Sequence, residues 1–340
     1  MTKVKIETKA SFGKSAFTKY SSIAVLVDQN TEKYCYAPIK KQLPAHGLIQ
    51  IPSGEEHKTI ATCELIWKEM TNLNLDRHSL LIIVGGGVLG DMGGFCAATF
   101  KRGIDFMLVP TTLLAQVDAS IGGKLAIDFG AYKNHIGVFQ LPVTTHIATQ
   151  FLKTLSPREL RSGFAEIIKH CIIADKKMWQ TISTKVLNDQ DWLKLVRHSV
   201  KIKALVVKKD PREKGLRKIL NFGHTIGHAI EGHFLTSENR LLHGEAVAIG
   251  MVLESFIAFR KKLLSVNDLQ DISEYILAIF GRTELPDADL WLPLLRHDKK
   301  NKGNRIFMAL PKQIGNAVWD VSVSEKEIRD SLDYYRSCQT

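Results

Sequence analysis

Three short apolar runs constrain the fold of this 340-residue chain more than any other feature. Residues 23–27, 79–84 and 106–110 are rich in Val, Ile, Leu and Met; they stop at Asp28, at three consecutive glycines and at Pro110. Runs of this length, bounded by turn residues, suit strands covered on both faces. Residues 47–52 are another short extended candidate, and residues 61–73 carry helical spacing. The alternation predicts a parallel α/β sheet in the first half of the chain.

The texture changes near residues 150–157. Residues 157–174, 191–209, 216–233, 244–262 and 266–279 all show helical apolar periodicity, and only residues 305–310 look extended. The expected fold class is therefore α/β plus all-α. A Rossmann-like parallel-sheet domain (residues 1–154) precedes a mainly helical domain (residues 155–340), with no internal repeat.

Composition narrows the function classes. With 45% hydrophobic and 24% charged residues the chain is ordinary globular protein. No apolar stretch approaches the ~20 residues of a membrane-spanning helix, and residues 1–20 lack the apolar core of a secretory signal, so a cytoplasmic protein is expected. Cys35, Cys63, Cys96, Cys171 and Cys338 are odd in number and widely spread, which argues against a disulfide framework or a thiolate zinc site. The formal charge of +11 is not organised as a nucleic-acid module. It suits steering of a phosphorylated substrate, and a merely solubilising surface equally well.

Gly85, Gly87 and Gly90 fit G-x-G-x-x-G between the second apolar run and an apparent helix. Such a turn brings backbone N–H groups at a helix start against a pyrophosphate. Close packing of a strand–helix turn explains the same glycines. Asp28, at the end of an earlier run, suits ribose hydroxyls, and Asp91 sits at the helix start. The motif does not follow the first strand, so a standard Rossmann layout is not implied.

In residues 216–233, Arg217, Asn221, His224 and His228 are spaced by four, three and four, which places them on one face of a continuous helix. A polar stripe of that kind must face water, a partner or a polar cavity. Glu166 and Lys169 lie three apart on an otherwise apolar helix, where a carboxylate wants a cation or a donor. His243 opens the next helix. One carboxylate and two imidazoles have the composition of a catalytic zinc site, although separations of 58 and 19 residues form no local signature.

Gly85-Gly86-Gly87-Val88-Leu89-Gly90-Asp91 resembles the 3-dehydroquinate synthase family. So do Lys101-Arg102-Gly103, the stretch from Val109 to Asp118, Gly122-Gly123-Lys124 and Gly163-Phe164-Ala165-Glu166-Ile167-Ile168-Lys169. The likeness continues through Leu220-Asn221-Phe222-Gly223-His224-Thr225-Ile226-Gly227-His228 and Leu242-His243-Gly244-Glu245, from about residue 25 to about residue 318. It implies a homodimeric lyase of the shikimate pathway that depends on NAD and on Zn2+ or Co2+. The site would lie in the cleft between a Rossmann-like and a helical domain. The substrate implied is 3-deoxy-arabino-heptulosonate 7-phosphate, converted to 3-dehydroquinate and phosphate by oxidation, elimination, reduction, ring opening and aldol closure, with NAD recycled.

Carried over position by position, Glu166, His224 and His243 resemble the metal ligands. Asp28, Asn30, Glu55, Lys58, Gly86, Gly87, Asp91, Thr111, Thr112, Asp118, Lys133, Phe151 and Thr154 match NAD contacts. Lys124, Asn134, Lys169, Lys203, Arg217, Asn221 and His228 match substrate contacts, with His228 the candidate for proton transfer at the reacting hydroxyl and a purely hydrogen-bonding role its alternative. Arg102 is expected to reach the partner subunit's site, and Lys299 or Lys300 to contact phosphate.

The chain departs from the family pattern at Leu125-Ala126-Ile127-Asp128, at Tyr132, where Gly is common, and at His135. A tyrosine at a position needing positive φ would cost ~1–2 kcal/mol or displace the loop. The competing readings are another sugar-phosphate cyclase, a metal-dependent polyol dehydrogenase, and a relative that only binds nucleotide.

Overall fold

In the computed structural model, which describes residues 2–130, 132–237, 239–296 and 305–338, the apolar runs form the centre of a six-stranded sheet. Its strands are β1 (Lys3–Glu7), β2 (Ile23–Asp28), β3 (Gly47–Ile51), β4 (Leu80–Gly85), β5 (Asp105–Pro110) and β8 (Thr144–Ala148). They lie in the order β1-β8-β5-β4-β2-β3, and every pair is parallel. Side chains alternate between two cores. Ala24, Leu26, Leu81 and Ile83 face one that contains Cys63, Ile66 and Met70 of helix α1 (Ile60–Asn72) and Met92 and Phe95 of α2 (Gly87–Thr99). Val25, Val27, Ile82 and Val84 face the other, with Phe17, Tyr36, Ile39 and Phe151. Burial on both faces is why these strands have no polar alternation.

The chain leaves β2 for β3 on one side and then crosses to β4 on the other. This is the order of flavodoxin-like sheets, with β1 added at the far edge, and its switch point lies between β2 and β4. The glycine turn thus follows the strand beside the switch point, which is why it is absent from the first strand. Gly93 rather than Gly90 seats α2 on the sheet. A Cβ at Gly93 would lie 2.6 Å from Leu26 Cδ2, whereas one at Gly90 would meet Leu108 at an ordinary 3.9 Å.

An antiparallel hairpin of β6 (Lys124–Phe129) and β7 (Tyr132–Phe139) lies against α2 through Leu125. Sequence periodicity misses it, and misses β1 and β8 as well. β8 carries Thr144, Thr145 and His146 where an apolar run would be expected, and His146 is buried on Glu7 of β1 at 3.0 Å. Tyr132 lies in β7 and is not among the residues with positive φ; that conformation falls on Asn134 (φ 51), so the steric cost considered for Tyr132 does not arise.

The chain divides into two compact units, one of Met1–Leu160 with Trp192–Val200 and the other of Arg161–Asp191 with Lys201–Thr340. The helices that matter for the second are α3 (Pro157–Ala174), α4 (Trp192–Lys209), α5 (His224–His233), α6 (His243–Arg260), α7 (Val266–Phe280) and α8 (Glu325–Ser337). An antiparallel pair, β9 (Ile306–Gln313) with β10 (Asn316–Val323), completes the unit. Strands therefore persist further into the second half than residues 305–310 alone suggest.

The expected helix over residues 216–233 is two elements. Residues Leu216–Asn221 form a 3-10 turn, and α5 begins only at His224. Gly223, at φ 78, breaks the run because its backbone is pressed against α6. Among the described residues, no helix is long and apolar enough to cross a membrane.

Gly93→Val should lower the denaturation midpoint, because the added methyls overpack Leu26 and Ile83 at a cost of about 1–3 kcal/mol. An unchanged midpoint would show that α2 does not depend on this close approach.

Candidate active site

In the second unit, α3 is buried on nearly every face, and Glu166 on it is fully inaccessible. A carboxylate there is tolerable only with cationic or donor neighbours. Lys169, one turn on, forms an ion pair with Oε2, while Oε1 lies 3.3 Å from His224 Nε2 and 3.6 Å from His243 Nε2. Neither carboxylate oxygen receives a hydrogen bond of regular geometry. The other ring nitrogens explain the arrangement. His224 Nδ1 lies 3.1 Å from the Phe222 carbonyl, to which it donates, and His243 Nδ1 lies 3.3 Å from Glu231 Oε2. Both contacts place a proton on Nδ1 and leave Nε2 of each ring facing the same oxygen of Glu166. Two imidazole nitrogens turned on one carboxylate oxygen make a site for a cation, with a ring proton taking that place when none is bound.

Burial opposes ionisation of Glu166, but Lys169 and then His224 hold its carboxyl well below the usual range. Burial lowers the His224 imidazole, and Lys169 lowers it further. For His243, burial opposes the charge, yet Glu166 and Glu231 raise the imidazole above its ordinary value. The donor set fits a divalent ion: two nitrogens and an oxygen, with ordered outer partners and no thiolate.

His228 joins this cluster. One ring nitrogen each from His224, His228 and His243 lies within 4.8 Å of the others, with ring centroids 5.2–5.6 Å apart. The structure thus brings five of the expected residues together: Glu166, Lys169, His224, His228 and His243. Arg217, buried, donates through Nη1 to Pro211 O at 2.7 Å, and Asn221 donates to Glu213 Oε1 at 2.6 Å. Lys203 of α4 is buried as well.

The loop ahead of Arg217 is organised by Asp210. Desolvation opposes its ionisation, but its carboxylate accepts from the backbone N–H groups of Gly215, Lys214 and Arg217 at 2.7–3.0 Å, which together hold its carboxyl below the ordinary value. Glu213 (φ 57) and Asp210 escaped the sequence reading, since a lone acid in a polar loop carries no periodicity. The acid-rich spacing Asp210-Pro211-Arg212-Glu213 is the one available hint.

The first unit presents its expected residues along the carboxyl edge of one sheet. Asp28 ends β2 and Asn30 follows it, Gly86, Gly87 and Asp91 follow β4, Thr111 and Thr112 follow β5, and Phe151 and Thr154 follow β8. Asp118 lies in the helical turn Ala115–Ala119 beyond Thr112. A shallow pocket opens here, lined by Gly85, Gly86, Gly87, Asp91, Pro110 and Ala119 among others. Side chains would fill the cradle: a Cβ at Gly86 would lie 3.0 Å from Thr112 Cγ2 and one at Gly87 3.4 Å from Ala119. With the N-terminus of α2 directed at this edge, the turn fits a pyrophosphate.

Some of these side chains also carry structural bonds. Asp28 caps the short helix Gln29–Thr31 through Oδ1, 2.7 Å from Thr31 N. Asn30 donates to Ser53, Thr112 accepts from Ala115 N, and Thr154 donates to Phe151 O.

Lys58 is the hub of the remaining set. It is buried and reaches Asp91 Oδ2 at 2.7 Å and Asn134 Oδ1 at 2.6 Å. Burial opposes its charge, but Asp91 and then Glu55 raise its pKa. Lys133 lies 3.7 Å from Glu55. The unusual Asp128 fits this network: its Oδ1 accepts from Asn134 N at 2.6 Å, while its own N–H donates to Lys58 O. Lys124 opens β6 on the same hairpin. Arg102 (φ 70) is exposed beside Lys101 (φ 49), and Lys299 and Lys300 lie outside the described residues.

Residues 48–162 match the family model for the 3-dehydroquinate synthase N-terminal region, and residues 163–301 match that for its C-terminal region. The chain belongs to the 3-dehydroquinate synthase family. A 3-dehydroquinate synthase of Parabacteroides distasonis is 38% identical over 328 residues, covering 94% of this chain and 92% of that protein. Among solved structures, 2-epi-5-epi-valiolone synthase from Streptomyces hygroscopicus, with NAD+ and Zn2+ bound, superposes with a TM-score of 0.88 at 25% identity over 99% of this chain and 97% of that one. A 2-deoxy-scyllo-inosose synthase complexed with carbaglucose-6-phosphate, NAD+ and Co2+ gives a TM-score of 0.82 at 26% identity, covering 93% and 92%.

Glu166→Gln should weaken zinc retention by about a hundredfold or more, since an outer partner alone is worth 10–100-fold. Unchanged zinc content after dialysis of that variant would remove Glu166 from the ligand set.

Proposed function

We propose that the chain is a 3-dehydroquinate synthase, converting 3-deoxy-arabino-heptulosonate 7-phosphate to 3-dehydroquinate and phosphate with NAD and a divalent metal, Zn2+ or Co2+. The observation that carries this reading is the buried Glu166 with Nε2 of two imidazoles directed at it, in a chain 38% identical to a dehydroquinate synthase over nearly its whole length. Glu166, His224 and His243 would hold the metal, and residues before 154 the nucleotide, chiefly Asp28, Asp91, Thr111, Thr112 and the Gly86-Gly87 turn. When bound, the metal supplies Lewis acidity at adjacent substrate oxygens and the nicotinamide a reversible hydride acceptor.

The chain's own residues do the rest. Lys169, Lys203 and Arg217, all buried, present three cations suited to a substrate bearing both a carboxylate and a phosphate. That choice distinguishes the acid substrate from sugar phosphates that lack a carboxylate. Asn221 is held by Glu213 and orients a substrate hydroxyl. His228, beside both candidate ligand histidines, moves the proton of the reacting hydroxyl at a ring nitrogen. The departing phosphate carries off the proton of the neighbouring carbon, so no further base is required. Burial of the cations excludes water and strengthens their hold as phosphate charge develops. The functional particle is read as a cytoplasmic homodimer in which Arg102 serves the neighbouring subunit's substrate.

Phosphate release from the heptulosonate phosphate, followed with NAD and zinc, tests this directly. One phosphate per dehydroquinate is expected, with no net NADH and loss of turnover on chelation. Net NADH from a simple polyol without phosphate release would select the dehydrogenase reading instead.

A further inference from the structure

Helix α5 carries His224 at its first turn and His228 one turn later, yet it has no cap of its own. Its N-cap position is Gly223, and nothing larger fits there. A Cβ would lie 2.5 Å from Met251 Cγ and 2.9 Å from Val247 O, in a backbone conformation (φ 78) that side chains disfavour. Close packing of α5 on α6 recurs at Gly227, where a Cβ would sit 2.9 Å from Ala246 O, and at Gly250, where it would overlap Gly223 O. A Ser, Thr, Asp or Asn cap is thereby excluded, while the amides at the helix start still need an acceptor away from water.

Glu254 of α6 supplies it. The side chain is fully inaccessible; Oε2 accepts from Gly223 N at 2.6 Å and Oε1 from Ile226 N at 3.0 Å. A carboxylate at this end also complements the helix dipole. The same helix holds His243 at its own N-terminus. α6 therefore sets His243 directly and the α5 histidines through Glu254.

We propose that Glu254 is a positioning residue for metal ligation. By bonding the amides of Gly223 and Ile226 it fixes the start of α5, so that His224 keeps Nδ1 on Phe222 O and Nε2 on the Glu166 carboxylate. This rests on the reading of Glu166, His224 and His243 as metal ligands. Glu254 touches neither metal nor substrate; it acts through His224.

In Glu254→Gln one amide N–H faces an NH2 group rather than an acceptor. Zinc affinity, measured by chelator competition on the purified full chain at a temperature where the protein is folded, should fall about tenfold or more, as for other outer partners of ligand histidines. Saturating zinc should restore most of kcat at unchanged KM for the heptulosonate phosphate. Glu254→Asp, which keeps the charge on a shorter arm, should fall between the two and decides the matter if the Gln variant does not fold.

A purely structural role lowers the melting temperature of apo and zinc-loaded protein equally and leaves zinc affinity unchanged. That result, in either variant, overturns the proposal. If wild-type protein itself binds no zinc, the reading of the ligands fails first and the proposal falls with it. Tight binding by wild type and variant alike removes Glu254 alone.

Discussion

A carboxylate without access to water, placed on an apolar helix, is the constraint on which the second unit turns. Glu166 is stable there only because Lys169, His224 and His243 converge on it, and each of those contacts requires a particular backbone course. His224 needs the break at Gly223, His243 needs the N-terminus of α6, and both helices need glycines to come close enough. An ion pair this buried is a weak source of stability, because desolvation offsets most of the Coulomb attraction. Its retention is better explained by what the donor set can hold than by what it contributes to folding.

The first unit solves a different problem with ordinary means. Every strand of its sheet is parallel, so the candidate nucleotide residues from four strands finish on one edge. The glycine turn there has no need of positive φ; space against Leu89 and Thr112 favours Gly85 and Gly86, while a Cβ at Gly87 would meet Ala119 only at ordinary contact. The Lys58 hub ties that edge to the β6–β7 hairpin through Asp91, Asn134 and Asp128. Asp128, one of the positions at which the chain departs from the family pattern, is thus a bonding partner within this loop.

Much of this was legible in the chain. Strands buried on both faces leave uninterrupted apolar runs, so β2, β4 and β5 stood out, as did the long amphipathic helices. Strands that bury polar groups against specific partners leave no such trace, which hid β8 with its His146–Glu7 pair. A helix period continues across Gly223 in the letters but not in space, because the break is imposed by α6, some twenty-five residues further on. Glu213, Asp210 and Glu254 were silent for a related reason: their partners are backbone amides or a single side chain brought by the fold. The convergence of Glu166, His224 and His243 could be named from family resemblance, but no spacing rule would have found it.

The central claim is that these three side chains share one divalent ion. Anomalous diffraction at the zinc edge from zinc-loaded crystals measures this most directly. The account predicts a single strong peak about 2.0–2.2 Å from a Glu166 oxygen and from Nε2 of both His224 and His243. A peak elsewhere in the molecule, or bonded to His228 in place of Glu166, would contradict it.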